Sequence, residues 1–164
     1  MAESHREQIL VALVALGVAM TGTRHWGGSY PYAPTVSRIY RQPQQVQQKP
    51  HAILREASGS EFSATEGVSV GNQVGYRDRF AVSLTGYVAG DDQVAPSTWM
   101  QRYWWDWFVT LKANRTLGGI ANEIEFGAME PMDVVVEGQH QPYEAAFEQP
   151  LIVIVDPVGP VTVG

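Results

Sequence analysis

Apolar residues recur along this chain with two different periods, and these periods predict two helices and several strands. Between residues 5 and 20 they recur every three or four positions, which predicts an amphipathic helix. The positions of this stripe are Ile9, Leu10, Leu13, Leu16 and Met20. Ser4 and Glu7 have the spacing of a capping box, in which each residue hydrogen-bonds the other's backbone amide. The helix should therefore run from about His5 to Met20, with Gly22 as a left-handed stop.

Additional valines make this first helix apolar almost all round. Val11, Val14 and Val18 widen the stripe beyond the single face that one core would cover. A helix of this kind is covered on more than one side. In a chain of 164 residues the second cover is predicted to be a neighbouring subunit, so these three valines are candidate interface residues.

A second helix is predicted from about Thr98 to Ala113, after the helix-opening sequence Pro96-Ser97-Thr98. Its apolar stripe consists of Met100, Trp104, Trp107, Phe108 and Leu111. The opposite face carries Arg102, Trp105 and Val109. Aromatic residues and arginine are enriched in subunit contacts. These three residues are therefore the second candidate interface.

The remaining apolar segments predict strands. They are Val36–Arg41, His51–Ala57, Asp78–Ala89, Asn122–Phe126, Met132–Glu137 and Glu144–Asp156. The order helix, two or three strands, helix, two or three strands predicts an α+β fold. We expect a mixed, mainly antiparallel sheet with two helices packed on one face. Residues 1–164 should form one domain with extended loops at about 24–35, 42–49 and 58–76, the last of which is either a mobile loop or a projecting hairpin.

Composition and charge narrow the function classes. The net charge is −6 and the pI about 5.1, which argues against tight nucleic-acid binding because that requires Lys and Arg on the phosphates. The absence of cysteine excludes disulfides and thiolate sites. The apolar run from Ile9 to Met20 is too short to span a bilayer, which takes about 20 residues. No membrane association is expected.

Residues that could perform chemistry are scattered. His5, His25, His51 and His140 have no metal-site spacing, and the double glycines match no phosphate-binding fingerprint. Glu123 and Glu125 could share one face of a strand but lack a nearby base or ligand. We therefore predict no catalytic, cofactor-binding or metal site and no cofactor, and we do not expect an enzyme.

Several segments resemble one known family. The sequence RTLGGIANEIEFGAME, residues 115–130, is similar to a run in the small tail-terminator proteins (tail-completion, minor tail protein U-like) of long-tailed bacteriophages. HREQILVALVAL resembles that family's first helix, and PHAILREASGSEF a strand and turn. RDRFAVSLTGYV resembles its long central strand, and AAFEQPLIVIVD a closing element. The resemblance covers most of the chain in order.

This resemblance implies a structural role in the virion. Family members form a ring, typically of six subunits, at the head-proximal end of the tail tube. The ring stops tube polymerisation and joins the tail to the head-side connector, or neck. The implied partners are other copies of this chain, the tail-tube protein and the connector. Genomic DNA would pass through an acidic lumen without specific binding, and assembly would occur in the host cytoplasm.

Three alternatives stay open at this stage. The chain could be another head–tail connector or a tail-tube subunit, which copy number per particle would distinguish. It could be a small enzyme of unknown class, which would need polar groups clustered in a pocket. It could also be a plain host binding module, which monomeric behaviour and no association with phage particles would favour.

Overall fold

The computed structural model describes residues 4–20, 26–46, 49–70, 73–155 and 161–162. Two helices lie in these ranges, α1 (His5–Val18) and α2 (Pro96–Ala113). Short 3-10 turns occur at Pro43–Gln45 and Leu117–Gly119. The strands are β1 (Thr35–Ser37), β2 (His51–Glu56), β3 (Glu61–Val70), β4 (Gln73–Ala89), β5 (Glu123–Phe126), β6 (Glu130–Met132), β7 (Val135–Val136), β8 (Gln139–His140), β9 (Glu144–Val155) and β10 (Val161–Thr162).

One large sheet organises the described chain. Its strand order is β1-β2-β4-β9-β5, with β3 and β10 also pairing with β4, and β6 with β9. The pair β1–β2 is parallel and the other pairs are antiparallel. Strands β7 and β8 form a separate hairpin. This architecture confirms the predicted α+β fold with a mixed, mainly antiparallel sheet.

Both helices contribute to the main core, which lies on one face of the sheet. Its fully buried side chains include Leu13 of α1, Tyr103 and Trp107 of α2, and Phe80 and Phe147 of the central strands. The two helices meet at Gly17, where an added Cβ would lie 2.5 Å from the Trp107 ring. Glycine is therefore required at this position for the observed approach of α1 to α2.

The other face of the sheet carries a smaller core. Ile53, Tyr87 and Ala146 point to this face and pack with Val46 and Val134 from segments that cross it. Ser83 and Thr85, which alternate along β4 with the main-core residues Val82 and Leu84, are also buried on this face. The sheet is therefore partly covered on both faces, which the alternating pattern alone does not indicate.

Several predicted boundaries are confirmed and others are wrong. Ser4 caps α1 by accepting a hydrogen bond from the Glu7 amide at 3.2 Å, but the Glu7 carboxylate pairs with Arg38 instead of completing the predicted capping box. The strand predicted from Val36 to Arg41 ends at Ser37, because the Ser37 hydroxyl bonds both backbone groups of Ile39 and closes a turn. The predicted stop at Gly22 lies outside the described residues.

Other corrections concern the proposed loops. Of the two alternatives predicted for segment 58–76, a mobile loop or a hairpin, the structure has the hairpin: β3 pairs with the first part of β4, with a register shift between Ala64 and Ser69. The predicted strand Met132–Glu137 is interrupted, because β6 pairs with β9 whereas β7 pairs with β8. Val134 lies between them and is buried in the smaller core. Strand β8 lies where no strand was predicted.

Candidate interaction surfaces

The outer flank of α1 presents apolar side chains in the isolated chain. Val11 is 55% exposed and Val18 is 51% exposed, whereas Val14 is half-buried against the main core. Their spacing of three and four residues places all three on one flank of the helix. The described chain covers this helix on one side only. The second cover was predicted to be a neighbouring subunit, so this flank remains a candidate contact for another molecule.

The outer side of α2 is the second apolar surface. Trp105 is 43% exposed and stacks on Phe108, with ring centroids 5.6 Å apart and an interplanar angle of 20°. Val109, one turn further on, is half-buried. Trp105 is therefore held in one orientation by an aromatic neighbour while much of its ring remains accessible. A rigid aromatic side chain of this kind loses little conformational entropy on binding.

Arg102 is already engaged within the chain. Its guanidinium lies 4.4 Å from the ring centroid of Trp26 and 5.0 Å from that of Trp99. These cation–π contacts fix the side chain beside Trp105. Together with Gln101 and Trp104 these residues line a shallow depression of about 300 Å³. The structure thus brings Arg102 and Trp105 together, as the sequence predicted, and adds Trp26, which the sequence analysis did not assign to this surface.

Asp106 explains why the segment around Trp26 is held against α2. Its carboxylate is fully buried and accepts hydrogen bonds from Trp26 Nε1, at 3.1 Å, and from the Tyr30 hydroxyl. Burial and the bond to Asp106 raise the pKa of Tyr30 well above its ordinary value, so the phenol stays protonated and remains a donor. No local sequence signal marks this network, because Asp106 is buried only where the segment around Trp26 packs against α2.

A second buried acid links α1 to the central strand. Asp78 of β4 is fully buried and receives two hydrogen bonds from Arg6, at 2.8 and 2.6 Å, and one from His5. Burial alone would raise the pKa of Asp78, but the bonds and charges of Arg6 and His5 outweigh it and lower the pKa. This ion cluster orients the start of α1 and is explained by a structural role.

The three histidines that the structure describes do not assemble into a metal site. His5 is bonded to Asp78, His51 contacts Thr35, and His140 lies 3.7 Å from Asp133. His25 lies outside the described residues. Among the described positions, no three His or acidic side chains are grouped so that they could hold a metal ion. Glu125 lies on the exposed side of β5 and pairs with Arg79 at 3.4 Å.

Comparison with protein-family models and with curated proteins gives no match for this sequence. Neither helix in the described ranges is long and apolar enough to cross a membrane.

Proposed function

We propose that this protein is a virion structural protein that forms a ring at the head-proximal end of a phage tail tube. The ring stops tube polymerisation and joins the tail to the head-side connector. The observation that carries the proposal is the pair of apolar helix surfaces, Val11/Val14/Val18 on α1 and Trp105/Val109 on α2. The family resemblance of residues 115–130 adds support.

A ring requires two different patches on each subunit, because every copy contacts its two neighbours through different surfaces. The two helix surfaces meet this requirement, since they lie on separate elements and differ in chemistry. One is aliphatic, and the other is aromatic with Arg102 at its margin. Val18 and Trp105 each combine a large exposed fraction with a fixed helical backbone. Six copies are the number that the resemblance implies.

The hairpin of β3 and β4 is a third candidate contact. Within the described ranges, strand β9 pairs with β4 from Asp78 to Ala89, and β4 itself begins at Gln73. The first part of β4 pairs with β3 and, at Gln73 and Val74, with β10. We propose that one face of the ring resembles the surface through which tail-tube subunits bind one another. The other face would lack the surface that binds a further tube subunit.

The charge of the chain fits a lumen through which DNA slides. At a net charge of −6 the ring does not trap the phosphate backbone, because like charges repel. The partners are then the tail-tube protein, the connector and other copies of this chain. The protein resides in the virion after assembly in the host cytoplasm and has no enzymatic role.

Microscopy of particles assembled without this protein tests the proposal directly. Overlong tails without heads are the expected result. Tails of normal length on full heads would overturn the terminator function and favour an enzyme or a binding module. Counting copies per particle separates a terminator, present in few copies, from a tube subunit, present in many.

Variants test whether the helix surfaces hold the ring together. Val18→Glu and Trp105→Glu each place a charge in an apolar contact and should abolish ring formation in size-exclusion chromatography. Ser97→Glu at the start of α2 and Gln139→Glu in the β7–β8 hairpin add the same charge at exposed positions outside both helix surfaces and serve as matched controls. Rings of unchanged stability in both test variants would exclude these surfaces as contacts.

A further inference from the structure

A polar cavity lies at the β1 edge of the sheet, away from both helix surfaces. Its volume is about 540 Å³, within the usual range of ligand sites. The lining residues are Thr35, Val36, Ser37, Arg41, Gln45, Val46 and His51. None of them is acidic. In a chain of net charge −6, a cavity whose single charged lining residue is an arginine is an exception that calls for an explanation.

His51 is the buried polar group of this cavity. The residue is 5% exposed, and its Nδ1 lies 2.6 Å from the Thr35 hydroxyl oxygen. Its Nε2 is buried and has no hydrogen-bond partner among the described residues. Nε2 has less than 1 Å² of accessible surface, so a partner in the cavity reaches this pair through the Thr35 hydroxyl, which is exposed. The pairing of Thr35 with His51 in the β1–β2 register fixes both side chains on the same face.

The protonation of His51 defines what that partner must be. Burial and the nearby charge of Arg41 lower the pKa of His51, so the imidazole is neutral at pH 7. A neutral imidazole bonded to a hydroxyl leaves one donor unused: the Nε2–H if Thr35 donates to Nδ1, or the Thr35 O–H if Nδ1 donates. Because Nε2 is not accessible, the tautomer with the proton on Nδ1 is the one that offers the cavity a donor, the Thr35 O–H.

Arg41 supplies the positive charge of the cavity. Its guanidinium forms no ion pair with any described carboxylate, and the residue is exposed at the mouth of the cavity. The guanidinium of an arginine can donate two parallel hydrogen bonds to the two oxygens of a carboxylate. Charge-assisted hydrogen bonds of this type are about twice as strong as neutral ones. Val46, which belongs to the smaller core on this face, provides an apolar wall beside these donors. One cation with neutral donors suits a monoanion better than a doubly charged phosphate.

We propose that this cavity binds a carboxylate, held by Arg41 and by the Thr35 hydroxyl that is bonded to His51, with a short apolar group against Val46. The carboxylate belongs either to a small organic acid or to an acidic side chain of a second copy of this chain. The inference is independent of the assembly function proposed above, because it uses neither helix surface.

Titration of the full chain with propionate, followed by ¹⁵N NMR of the histidine side chains, tests this site. We expect a saturable shift of the His51 nitrogens with a dissociation constant of about 1–10 mM, as for a small ligand with few contacts. Arg41→Gln should weaken binding about tenfold or more. Arg115→Gln, which removes the same charge from an exposed position outside the cavity, should leave binding unchanged.

Other results would overturn the proposal or identify the source of the ligand. A shift that does not saturate, or that is the same in Arg41→Gln, would exclude the site. Tighter binding of inorganic phosphate than of propionate would overturn the carboxylate assignment. If His51 shifts with protein concentration in buffer free of carboxylates, and propionate reverses both the shift and self-association, a second copy is the source. Saturation by propionate in a protein that stays monomeric identifies a small acid.

Discussion

The two faces of the central sheet differ in what their side chains do. The helix-covered face is densely packed, with aromatic rings edge to face and an ion cluster around the fully buried Asp78. The opposite face has a small core around Ile53 and Tyr87, and its crossing segments leave the polar cavity beside His51. Stability is therefore concentrated on the first face, whereas the second can accommodate a ligand or partner without disturbing the main core.

The largest effect should come from α2, where two tryptophans two positions apart have opposite environments. Trp107 is 1% exposed and Trp105 is 43% exposed. Trp107→Ala should lower the free energy of unfolding by about 3–5 kcal/mol, because it leaves a large cavity in the core. Trp105→Ala should lower it by less than ~1 kcal/mol, as for other surface changes. Urea unfolding measures both, and equal losses would contradict the proposed division of α2 into core and contact sides.

Arg6→Ala should have the next largest effect. It removes the main partner of the fully buried Asp78 and leaves a carboxylate that His5 alone compensates. Loss of one partner of such a pair costs about 3 kcal/mol or more. A double-mutant cycle with Asp78→Asn checks the assignment, since Arg6→Ala should cost much less in that background. Additive effects would show that the two side chains do not interact.

The same cluster predicts a dependence of stability on pH. The pKa of Asp78 is lower in the folded chain than in the unfolded chain, so the folded state binds fewer protons there. The contribution is fully present above the unfolded carboxyl pKa of about 4 and is lost as the pH falls through the lowered folded value. Thermal unfolding between neutral and acidic pH should show this loss in the natural chain. The Asp78→Asn variant should lose less stability between neutral and acidic pH than the natural chain does. An equal loss in both proteins would contradict the assignment to Asp78.

Gly17→Ala should be intermediate in effect. The added methyl group would lie 2.5 Å from both Trp107 and Val36, so the helices and β1 must separate. Overpacking of this kind typically costs about 1–3 kcal/mol. Val36→Ala removes one of the two clashes and should restore part of the loss in the double variant. A neutral Gly17→Ala would show that α1 can move away from the sheet at little cost.

The smallest effect is expected on the opposite face, in the β7–β8 hairpin. Glu137 and Gly138 both have positive φ, 53° and 75°, as the central residues of a type I′ turn do. Asn adopts this conformation more readily than Glu, so Glu137→Asn should raise the free energy of unfolding by roughly 0.5 kcal/mol. Gly138→Ala should lower it. The same sign for both variants would show that backbone conformation does not limit this turn.

Long periodic segments were predictable because the spacing of their apolar residues by itself indicates a helix or a strand. The stripe of α2 and the alternation of Phe80, Val82 and Leu84 give the element type without knowledge of the partner. Short elements were not predictable. β7 and β8 have two residues each, and what decides them is the turn at Glu137 and the burial of Val134, which depend on distant chain segments.

The candidate surfaces also divide into those that the sequence indicated and one that it did not. The excess of valines on α1 and the position of Trp105 indicated apolar contacts, because a helix has only one face available to its own core. The cavity at His51 was not predictable, because Thr35, Arg41 and His51 are brought together by a parallel strand pair and a crossing turn. Nothing in the local sequence marks those residues as neighbours.

The sequence by itself determined the α+β class, both helices and the central strands, since helical and strand periodicity are local properties of a chain. Only the tertiary structure decided which polar residues are buried. Asp78 and Asp106 resemble surface acids in the sequence, but each is enclosed by partners from distant segments that supply the hydrogen bonds a buried carboxylate requires. The tertiary structure also decided which apolar residues remain outside, because exposure of Val11, Val18 and Trp105 depends on how the helices are seated on the sheet.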